Sequence, residues 1–337
     1  SSLAYLAMAR PGYESDRYRV MVMDVETLTA RSVAENWDRS PGSLVWSADG
    51  SRLFGSANNI GNHTIFSIDP ADGMVSAMVT RHTNSSPRPL ADGRLLFARD
   101  NLKSPVELFV LPVGGGEPLQ ITHLNSDRLA KIAFGDYEQF SFTGAHGDEV
   151  FGYLIKPVGF DPNQTYPLAF LIHGGPQGSF DDHWHYRWNP EIYAGHGYAT
   201  VMIDFHGSTG YGQAFTDAIT GDWGGAPYED LKKGLDYVLQ TYRWIDGDRM
   251  AAAGASFGGY MINWIQGQTD RFKALVCHDG NLDELMAYYM TEELWFPEWE
   301  NGGTPWEVPE SYQKHSPVHH VKNWKTPELV IHGALDF

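Results

Sequence analysis

The sequence predicts a mostly parallel α/β sheet with helices on both faces, preceded by a repetitive β-rich segment. Three observations support this prediction. Strand-like apolar runs recur every 43 to 45 residues in the first third, and strands alternate with helices afterwards. The charge also shifts, because residues 1–136 carry 13 basic and 15 acidic side chains and residues 137–337 carry 11 and 27. We therefore expect two domains, over residues 1–128 and 129–337.

The overall composition excludes several classes of protein. With 24 basic and 42 acidic residues the net charge is −18, which leaves few cations to grip a nucleic-acid backbone. No apolar run approaches the roughly 18 residues that span a bilayer. Cys277 is the only cysteine, so an intrachain disulfide is impossible. We expect neither nucleic acid nor membrane as a partner, and the acidity indicates either a soluble surface or a field that attracts cationic ligands.

The first third contains an internal repeat. Residues 18–24, 63–69 and 106–112 align as strands, in steps of 45 and 43 residues. Asp-Gly turns at positions 49–50 and 92–93 repeat at the same spacing, and Gly accepts the positive φ of a tight turn. This period matches a four-stranded propeller blade. Residues 1–128 hold about three blades where propellers need four to eight. We therefore expect a partial β-propeller and a chain that starts inside a domain.

The second part contains a serine in a characteristic turn. Strand-like runs at 151–156, 168–173 and 199–204 come first, and another at 250–253 leads into Gly-Ala-Ser-Phe-Gly and a helix. This G-x-S-x-G pattern between strand and helix is the nucleophile elbow of α/β hydrolases. Its glycines permit a sharp turn that presents Ser256 at a helix N-terminus, where a developing negative charge is favoured. Ser256 is therefore the candidate nucleophile of an α/β hydrolase.

Two further motifs complete this prediction. His-Gly-Gly-Pro follows the strand at 168–172, so Gly174 or Gly175 can supply one N–H of an oxyanion hole and Phe257 the other. Asp336 follows an apolar strand at 328–331, where the triad acid of this fold lies. The triad histidine should come after the acid, yet only Phe337 does. Without that base serine is a poor nucleophile, so we expect this exact chain to be inactive.

The motifs together resemble one family. HGGP at 173–176, HGSTGYG at 206–212, GASFGGY at 254–260 and HGALD at 332–336 resemble the prolyl oligopeptidase family of serine peptidases, in its dipeptidyl peptidase 5 and acylaminoacyl peptidase branch. The resemblance implies that Ser256 is the nucleophile, that Phe257 and Gly175 donate to the oxyanion, and that Asp336 is the triad acid. It also implies a histidine past residue 337, truncation at both ends and a periplasmic or secreted location.

An acidic, aromatic segment at 291–300 (TEELWFPEWE) is similar to an insertion in dipeptidyl peptidase 5 enzymes. An enzyme that releases dipeptides must recognise a free α-amino group, and a carboxylate is its natural partner. Glu293 and Glu298 are the candidates, with Trp295 and Phe296 as pocket walls. The alternative is a solvated acidic loop whose aromatic rings pack beneath it.

We therefore expect a serine exopeptidase that releases dipeptides from the N-terminus of oligopeptides. Three alternatives stay open: an acylaminoacyl peptidase or oligopeptidase of the same family, a catalytically incomplete fragment or binding scaffold, and a carboxylesterase. An esterase shares the HGG and G-x-S-x-G motifs but needs neither the repeats nor the acidic segment. We expect peptides with a free N-terminus as partners, keep a homodimer open, and expect neither metal nor cofactor.

Overall fold

The computed structural model describes residues 1–336, which divide into two units. The N-terminal unit contains Ser1–Ala133 together with two later stretches, Asp181–Asn189 and Thr209–Gln213. The C-terminal unit contains the remaining residues from Phe134 onward. Charge and periodicity predict a single boundary at 128/129, because neither signal detects stretches in which the chain returns to the first unit.

The N-terminal unit is built from mostly antiparallel strands in two sheets, and the pairing of β6 with β8 is parallel. Its three-stranded sheet has the order β1-β2-β3, and its eight-stranded sheet has the order β11-β10-β9-β8-β6-β5-β4, with β7 beside β6. A one-turn helix, α1 (Ser126–Leu129), follows them. The strands are β1 (Ser2–Ala7), β2 (Arg19–Asp24), β3 (Ala30–Val33), β4 (Val45–Trp46), β5 (Leu53–Asn58), β6 (His63–Ile68), β7 (Val75–Val79), β8 (Thr83–Pro89), β9 (Leu95–Asn101), β10 (Ser104–Leu111) and β11 (Leu119–Gln120).

The sequence repeat corresponds to a structural repeat. The three aligned segments form β2, β6 and β10, and each pairs antiparallel with the strand before it and the strand after it. Gly50 and Gly93 in the Asp-Gly turns have φ of +72° and +86°. The strand repeat and its turns are therefore confirmed, while its interpretation as propeller blades stays a prediction.

The C-terminal unit contains a seven-stranded sheet with the order β12-β13-β15-β14-β16-β17-β18. The pairings among its last five strands are parallel, so the predicted mostly parallel sheet is confirmed. The strands are β12 (Tyr137–Thr143), β13 (Glu149–Ile155), β14 (Tyr166–Ile172), β15 (Ala199–Asp204), β16 (Ile245–Ala255), β17 (Ala274–His278) and β18 (Glu328–Ile331). The helices are α2 (Glu191–Gly195), α3 (Gln213–Asp217), α4 (Ala226–Thr241), α5 (Phe257–Gln268), α6 (Glu284–Met290), α7 (Trp295–Asn301) and α8 (Pro309–Lys314).

The core of the C-terminal unit lies between this sheet and its helices. All six residues of β15 are buried, as expected for a parallel strand covered on both faces. Helix α4 buries Leu231, Leu235 and Val238, whose spacing places them on one face. Cys277 on β17 is 1% exposed and belongs to this core. None of the helices formed by residues 1–336 is long and apolar enough to cross a bilayer.

Candidate active site

Ser256 lies in a sharp turn between a strand and a helix. Strand β16 ends at Ala255 and helix α5 begins at Phe257, so the predicted strand–serine–helix arrangement is confirmed. Ser256 has φ +58° and ψ −120°, a conformation that residues with a side chain rarely adopt. Its N–H donates to the carbonyl of His278 at 2.9 Å. Such a backbone costs about 1–3 kcal/mol and persists only where the surroundings impose it.

The flanking glycines are required by backbone contacts. A Cβ on Gly254 would lie 2.4 Å from the carbonyl oxygen of Gly258. A Cβ on Gly258 would lie 2.2 Å from the carbonyl oxygen of Ile172, at the end of β14. Since real Cβ atoms do not approach backbone this closely, the turn depends on both glycines.

The loop that follows β14 lies directly against the serine. A Cβ on Gly174 would be 2.7 Å from the carbonyl oxygen of Ala255, 3.1 Å from Cβ of Ser256 and 3.6 Å from its Oγ. Phe257 is the first residue of α5, so its N–H has no acceptor within the helix. Gly175 follows Gly174 in the same loop and has φ +135°. The structure therefore brings the predicted oxyanion loop and the predicted nucleophile into contact.

His173 holds the start of this loop. Its ring is buried, stacks on Phe205 with 4.2 Å between ring centroids, and hydrogen-bonds through Nε2 to Oγ of Ser208 at 2.9 Å. Its Nδ1 lies 2.9 Å from the carbonyl oxygen of Gly174. Because both ring nitrogens are engaged and the ring is packed, His173 acts on the loop rather than on a substrate.

The loop that carries Asp336 leaves the same edge of the sheet. Strands β16, β17 and β18 are parallel, with Ala255 beside His278 and His278 beside Ile331. Asp279 N–H donates to the carbonyl of Ile331 at 2.8 Å. The carboxyl ends of parallel strands meet at one edge, so the segment after β18 begins two strands from Ser256.

Asp336 itself contacts its own loop. Its N–H donates to Gly333 at 3.1 Å, and its carbonyl oxygen lies 2.9 Å from Nε2 of His332. Within residues 1–336, none of its polar contacts reaches Ser256. Phe337 lies outside the described residues.

Asp279 joins His332 and Asp336 in a small polar group. One side-chain nitrogen or oxygen from each residue lies within 4.8 Å of those from the other two, as metal ligands would. The ring nitrogens of His332 are 3.7 Å from a carboxylate oxygen of each acid. All three side chains are about one third to more than half exposed, and they pair with one another directly. We therefore assign no metal to them.

His206, in the HGSTGYG motif, belongs to a buried network. Its Nδ1 lies 2.6 Å from Oδ2 of Asp230 and its Nε2 lies 3.2 Å from Asp148. Burial alone would lower the pKa of His206, but the two carboxylates outweigh it and raise the pKa overall. Because the side chain is 1% exposed, His206 stabilises the chain after β15 and does not face a substrate.

The two predicted substrate-binding carboxylates lie in different settings. Glu293 is exposed just before α7, and its backbone N–H donates to Oγ1 of Thr291 at 3.0 Å. Glu298 is half-buried within α7 and accepts from the hydroxyl of Tyr288 at 2.9 Å. The side chain of Glu298 is thus already engaged by its neighbour, and that of Glu293 faces solvent.

Of the two predicted aromatic walls, Phe296 is linked to the serine turn. Its ring lies 5.9 Å from that of Trp223, which lies 5.0 Å from the ring of Phe257 beside Ser256. Trp295 is 46% exposed. The segment therefore reaches the candidate active site through Phe296, by a chain of ring contacts.

Glu300 is a buried carboxylate that is not among the residues predicted from the sequence. Its side chain is 3% exposed, although it ends an acidic segment whose composition is typical of a solvated loop. Its Oε1 accepts from Nε2 of Gln177 at 2.8 Å and its Oε2 from Nε1 of Trp223 at 2.9 Å. Glu300 follows Glu298 by two residues, a spacing that places the two side chains on opposite faces of α7, but only the tertiary structure shows that the face of Glu300 is buried.

A small polar cavity adjoins Glu300. It has about 20 Å³ open to water, room for about one molecule. Oε1 of Glu284 is buried there and has no hydrogen-bond partner among the described residues. Burial raises the pKa of Glu284 to about 7 and lowers that of His315 to about 4. The lining residues are Gly221, Trp223, Tyr260, Glu284, Glu300, Asn301, Ser311 and His315.

Comparison with known proteins gives consistent relatives. The chain is 40% identical over 344 residues to dipeptidyl-peptidase 5 of Schizosaccharomyces pombe, covering 99% of this chain and 49% of that protein. It is 41% identical over 347 residues to a probable dipeptidyl-peptidase 5 of Emericella nidulans, covering 100% of this chain and 48% of that protein. The chain thus spans about half the length of the curated relatives it matches.

The chain is also similar to solved structures of acylaminoacyl peptidases. The acylaminoacyl peptidase of Pyrococcus horikoshii, 26% identical, superposes with a TM-score of 0.84 over 98% of this chain and 52% of that one. An acylaminoacyl peptidase in complex with Z-Gly-Gly-Phe-chloromethyl ketone gives a TM-score of 0.85. The profile of the prolyl oligopeptidase family matches residues 184–337. The resemblance to the prolyl oligopeptidase family that the motifs indicate is therefore confirmed.

Proposed function

We propose that this chain carries the catalytic serine of an exopeptidase that releases dipeptides from the N-terminus of oligopeptides. The observation that carries the proposal is the contact between Gly174 and Ser256 at a strained strand-to-helix turn. An esterase would use the same turn, but the relatives at 40% and 41% identity are named dipeptidyl-peptidases, which favours peptide substrates.

The proposed reaction proceeds through an acyl-enzyme. Oγ of Ser256 attacks the scissile carbonyl carbon while a base takes its proton, and the N–H groups of Phe257 and Gly175 stabilise the oxyanion. Collapse breaks the C–N bond, the base returns the proton to the leaving amine, and water then hydrolyses the ester. The family resemblance implies that the base is a histidine after Asp336, with Asp336 orienting it.

Substrate selection is proposed from charge and chemistry. Residues 137–337 carry a net charge of −16, from 11 basic and 27 acidic side chains, which favours the approach of a cationic peptide N-terminus. Glu293 and Glu298 of the 291–300 segment are the carboxylates that would pair with that amine. A periplasmic or secreted location remains part of the proposal, as does a homodimer. The second candidate is an acylaminoacyl peptidase, because the solved structures with TM-scores of 0.84 and 0.85 carry that name.

The first experiment tests the nucleophile. We expect a fluorophosphonate probe to label Ser256 rapidly in the full-length protein that contains these residues, and Ser256→Ala to remain unlabelled. We expect the 337-residue chain to label slowly or not at all, since serine needs a base. Failure of the full-length protein to label would refute the proposed function. Rapid stoichiometric labelling of the 337-residue chain would refute the prediction that the base lies outside these residues.

The second experiment tests the substrate class. A dipeptidyl amide is compared with its N-acetylated form as a substrate of the full-length protein. We expect at least a tenfold higher kcat/KM for the free amine, because acetylation removes the cation that a carboxylate recognises. Equal or faster cleavage of the acetylated form would favour the acylaminoacyl peptidase.

A further inference from the structure

Glu300 stands out among the carboxylates of the 291–300 segment because it is buried and bonded to the oxyanion loop. Gln177, its partner at 2.8 Å, follows the HGGP motif by one residue. The other partner, Trp223, packs against Phe257 at the start of α5. A single carboxylate thus joins both predicted sources of oxyanion donors, one by a direct hydrogen bond and the other through a ring contact.

In the oxyanion loop, the backbone of Gln177 and Gly178 lies close to that of Gly174 and Gly175. A Cβ on Gly175 would lie 2.6 Å from the backbone nitrogen of Gln177. Gly178 N–H donates to the carbonyl of Pro176 at 2.9 Å, and a Cβ on Gly178 would lie 2.9 Å from the carbonyl oxygen of Gly174. A shift of Gln177 would therefore move the peptides of Gly174 and Gly175, which lie against Ser256.

The chemistry of the contact requires an acceptor at both oxygens of Glu300. The indole N–H of Trp223 and the amide N–H of Gln177 are donors, and an ionised carboxylate accepts both. Burial raises the pKa of Glu300, while the bonds from Trp223 and Gln177 oppose that shift. Replacement by alanine would leave two part-buried donors without this acceptor.

We propose that Glu300 is a positioning residue that holds the oxyanion loop through Gln177, and that it is not an anchor for the substrate amine. This inference rests on the proposed function and deepens it. Helix α7 carries both Phe296, in ring contact with Trp223, and Glu300, so the same helix that borders the candidate site also fixes its oxyanion donors. Both carboxylate oxygens of Glu300 accept from Gln177 and Trp223, so Glu300 acts on the loop and on Trp223.

The test compares Gln177→Ala and Glu300→Ala in the full-length protein with matched controls. Gln266 Nε2 donates to Oε2 of Glu328 at 2.7 Å, a part-buried Gln–Glu pair of similar length in the same unit, away from the oxyanion loop. We expect Gln177→Ala and Glu300→Ala to lower kcat about tenfold with KM within about twofold. Removal of a whole oxyanion donor lowers kcat about 10²–10³-fold, and displacement of a donor lowers it less. Gln266→Ala and Glu328→Ala should lower thermal stability and leave kcat within about twofold.

Two further readouts separate positioning from folding. Glu300→Gln can accept from Trp223 through its oxygen and donate to a reoriented Gln177 amide, so it should restore kcat to within about threefold of wild type. The double variant Glu300→Ala with Gln177→Ala should lose no more kcat than Glu300→Ala alone, because that change already breaks the hydrogen bond between Glu300 and Gln177. Gln177→Met, which keeps the volume and removes the amide, serves where the alanine variant unfolds.

The outcomes are distinguishable. If the unmodified full-length protein neither labels at Ser256 nor cleaves the dipeptidyl amide, the proposed function fails. If it does both, and Gln177→Met and Glu300→Ala change kcat no more than the Gln266→Ala and Glu328→Ala controls, the positioning role of Glu300 is refuted. A large rise in KM for the free-amine substrate alone, with kcat unchanged, would instead identify Glu300 as an amine anchor and equally refute it.

Discussion

The turn at Ser256 and the segment from residue 291 to 301 are built by different forces. At the turn, backbone atoms leave no room for a side chain on either flanking glycine, and Ser256 itself adopts φ +58°. In the segment, two acidic side chains are exposed, one bonds to Tyr288, and one is buried against Gln177 and Trp223. Local steric exclusion defines the first region, and contacts between distant residues define the second.

This difference explains which residues the sequence identifies. Steric exclusion restricts the residue type itself, so the glycines and the serine are visible as a motif. The long-range contacts of Glu300 restrict only the position of a carboxylate, and the four glutamates of the 291–300 segment satisfy that pattern equally.

The largest effect is expected at the turn. Gly258→Ala places a Cβ 2.2 Å from a backbone oxygen, so we expect the free energy of unfolding of the C-terminal unit to fall by at least about 3 kcal/mol. Gly247→Ala, in the same strand-and-helix unit, meets only Leu239 methyl carbons at 3.6 and 3.7 Å and should change it by less than about 1 kcal/mol. Urea denaturation followed by tryptophan fluorescence measures both, and equal losses would contradict the steric explanation.

The next effect concerns the segment. Glu300→Ala leaves the indole N–H of Trp223 and the amide of Gln177 without an acceptor, so we expect a loss of about 2 kcal/mol. Glu293→Ala, at an exposed position, should stay within about 0.5 kcal/mol. The same denaturation experiment applies. If both variants lose equally, burial does not distinguish these glutamates.

The cavity beside Glu300 should give opposite pH dependences in two variants. Glu284 has a pKa raised from 4.5 to about 7, so its stabilising contribution is complete below about 4.5 and is lost as pH rises through 7. His315 has a pKa lowered from 6.5 to about 4, so its contribution is complete above about 6.5 and is lost as pH falls through 4. Neighbouring charges are Asp283 beside Glu284, and Lys314 and Asp222 beside His315.

Between pH 7 and pH 5 these two contributions oppose each other in the unmodified protein. His315→Asn leaves Glu284 alone, so the free energy of unfolding should rise by about 1–2 kcal/mol as pH falls from 7 to 5. Glu284→Gln leaves His315 alone, so it should fall by a similar amount. Denaturation midpoints at pH 7, 6 and 5 measure the slopes, and slopes of the same sign would contradict the burial of one of the two groups.

The smallest effect is expected at the serine. Ser256→Gly relieves the strained backbone, offset in part by the greater freedom of glycine in the unfolded chain, so we expect a gain of about 1 kcal/mol. Ser256→Ala keeps a Cβ and should change stability by less than about 0.5 kcal/mol. Thermal unfolding measures the difference between the two variants. No gain in Ser256→Gly would mean that the turn stores no strain.

Much of the fold is predictable because its signals are periodic. The repeat at 43 to 45 residues identifies β2, β6 and β10, and the apolar spacing of Leu231, Leu235 and Val238 identifies α4. The stretches Asp181–Asn189 and Thr209–Gln213 are not predictable in this way. Asp182 accepts from Leu102 N–H at 2.9 Å and pairs with His82 at 2.6 Å, contacts between residues 80 and 100 positions apart. No local pattern encodes such partners.

The sequence by itself determined the strand repeat, the parallel sheet and the glycine-flanked serine turn, since periodicity and steric exclusion act on residue type within a few positions. The tertiary structure alone decided which of the two candidate glycines lies against Ser256, namely Gly174, and that Glu300 is the buried glutamate of its segment. Burial depends on which elements pack together, and a carboxylate carries the same chemistry in solvent as in a core. The physical reason is that side-chain type is a local property, whereas an acceptor's partners are set by the fold.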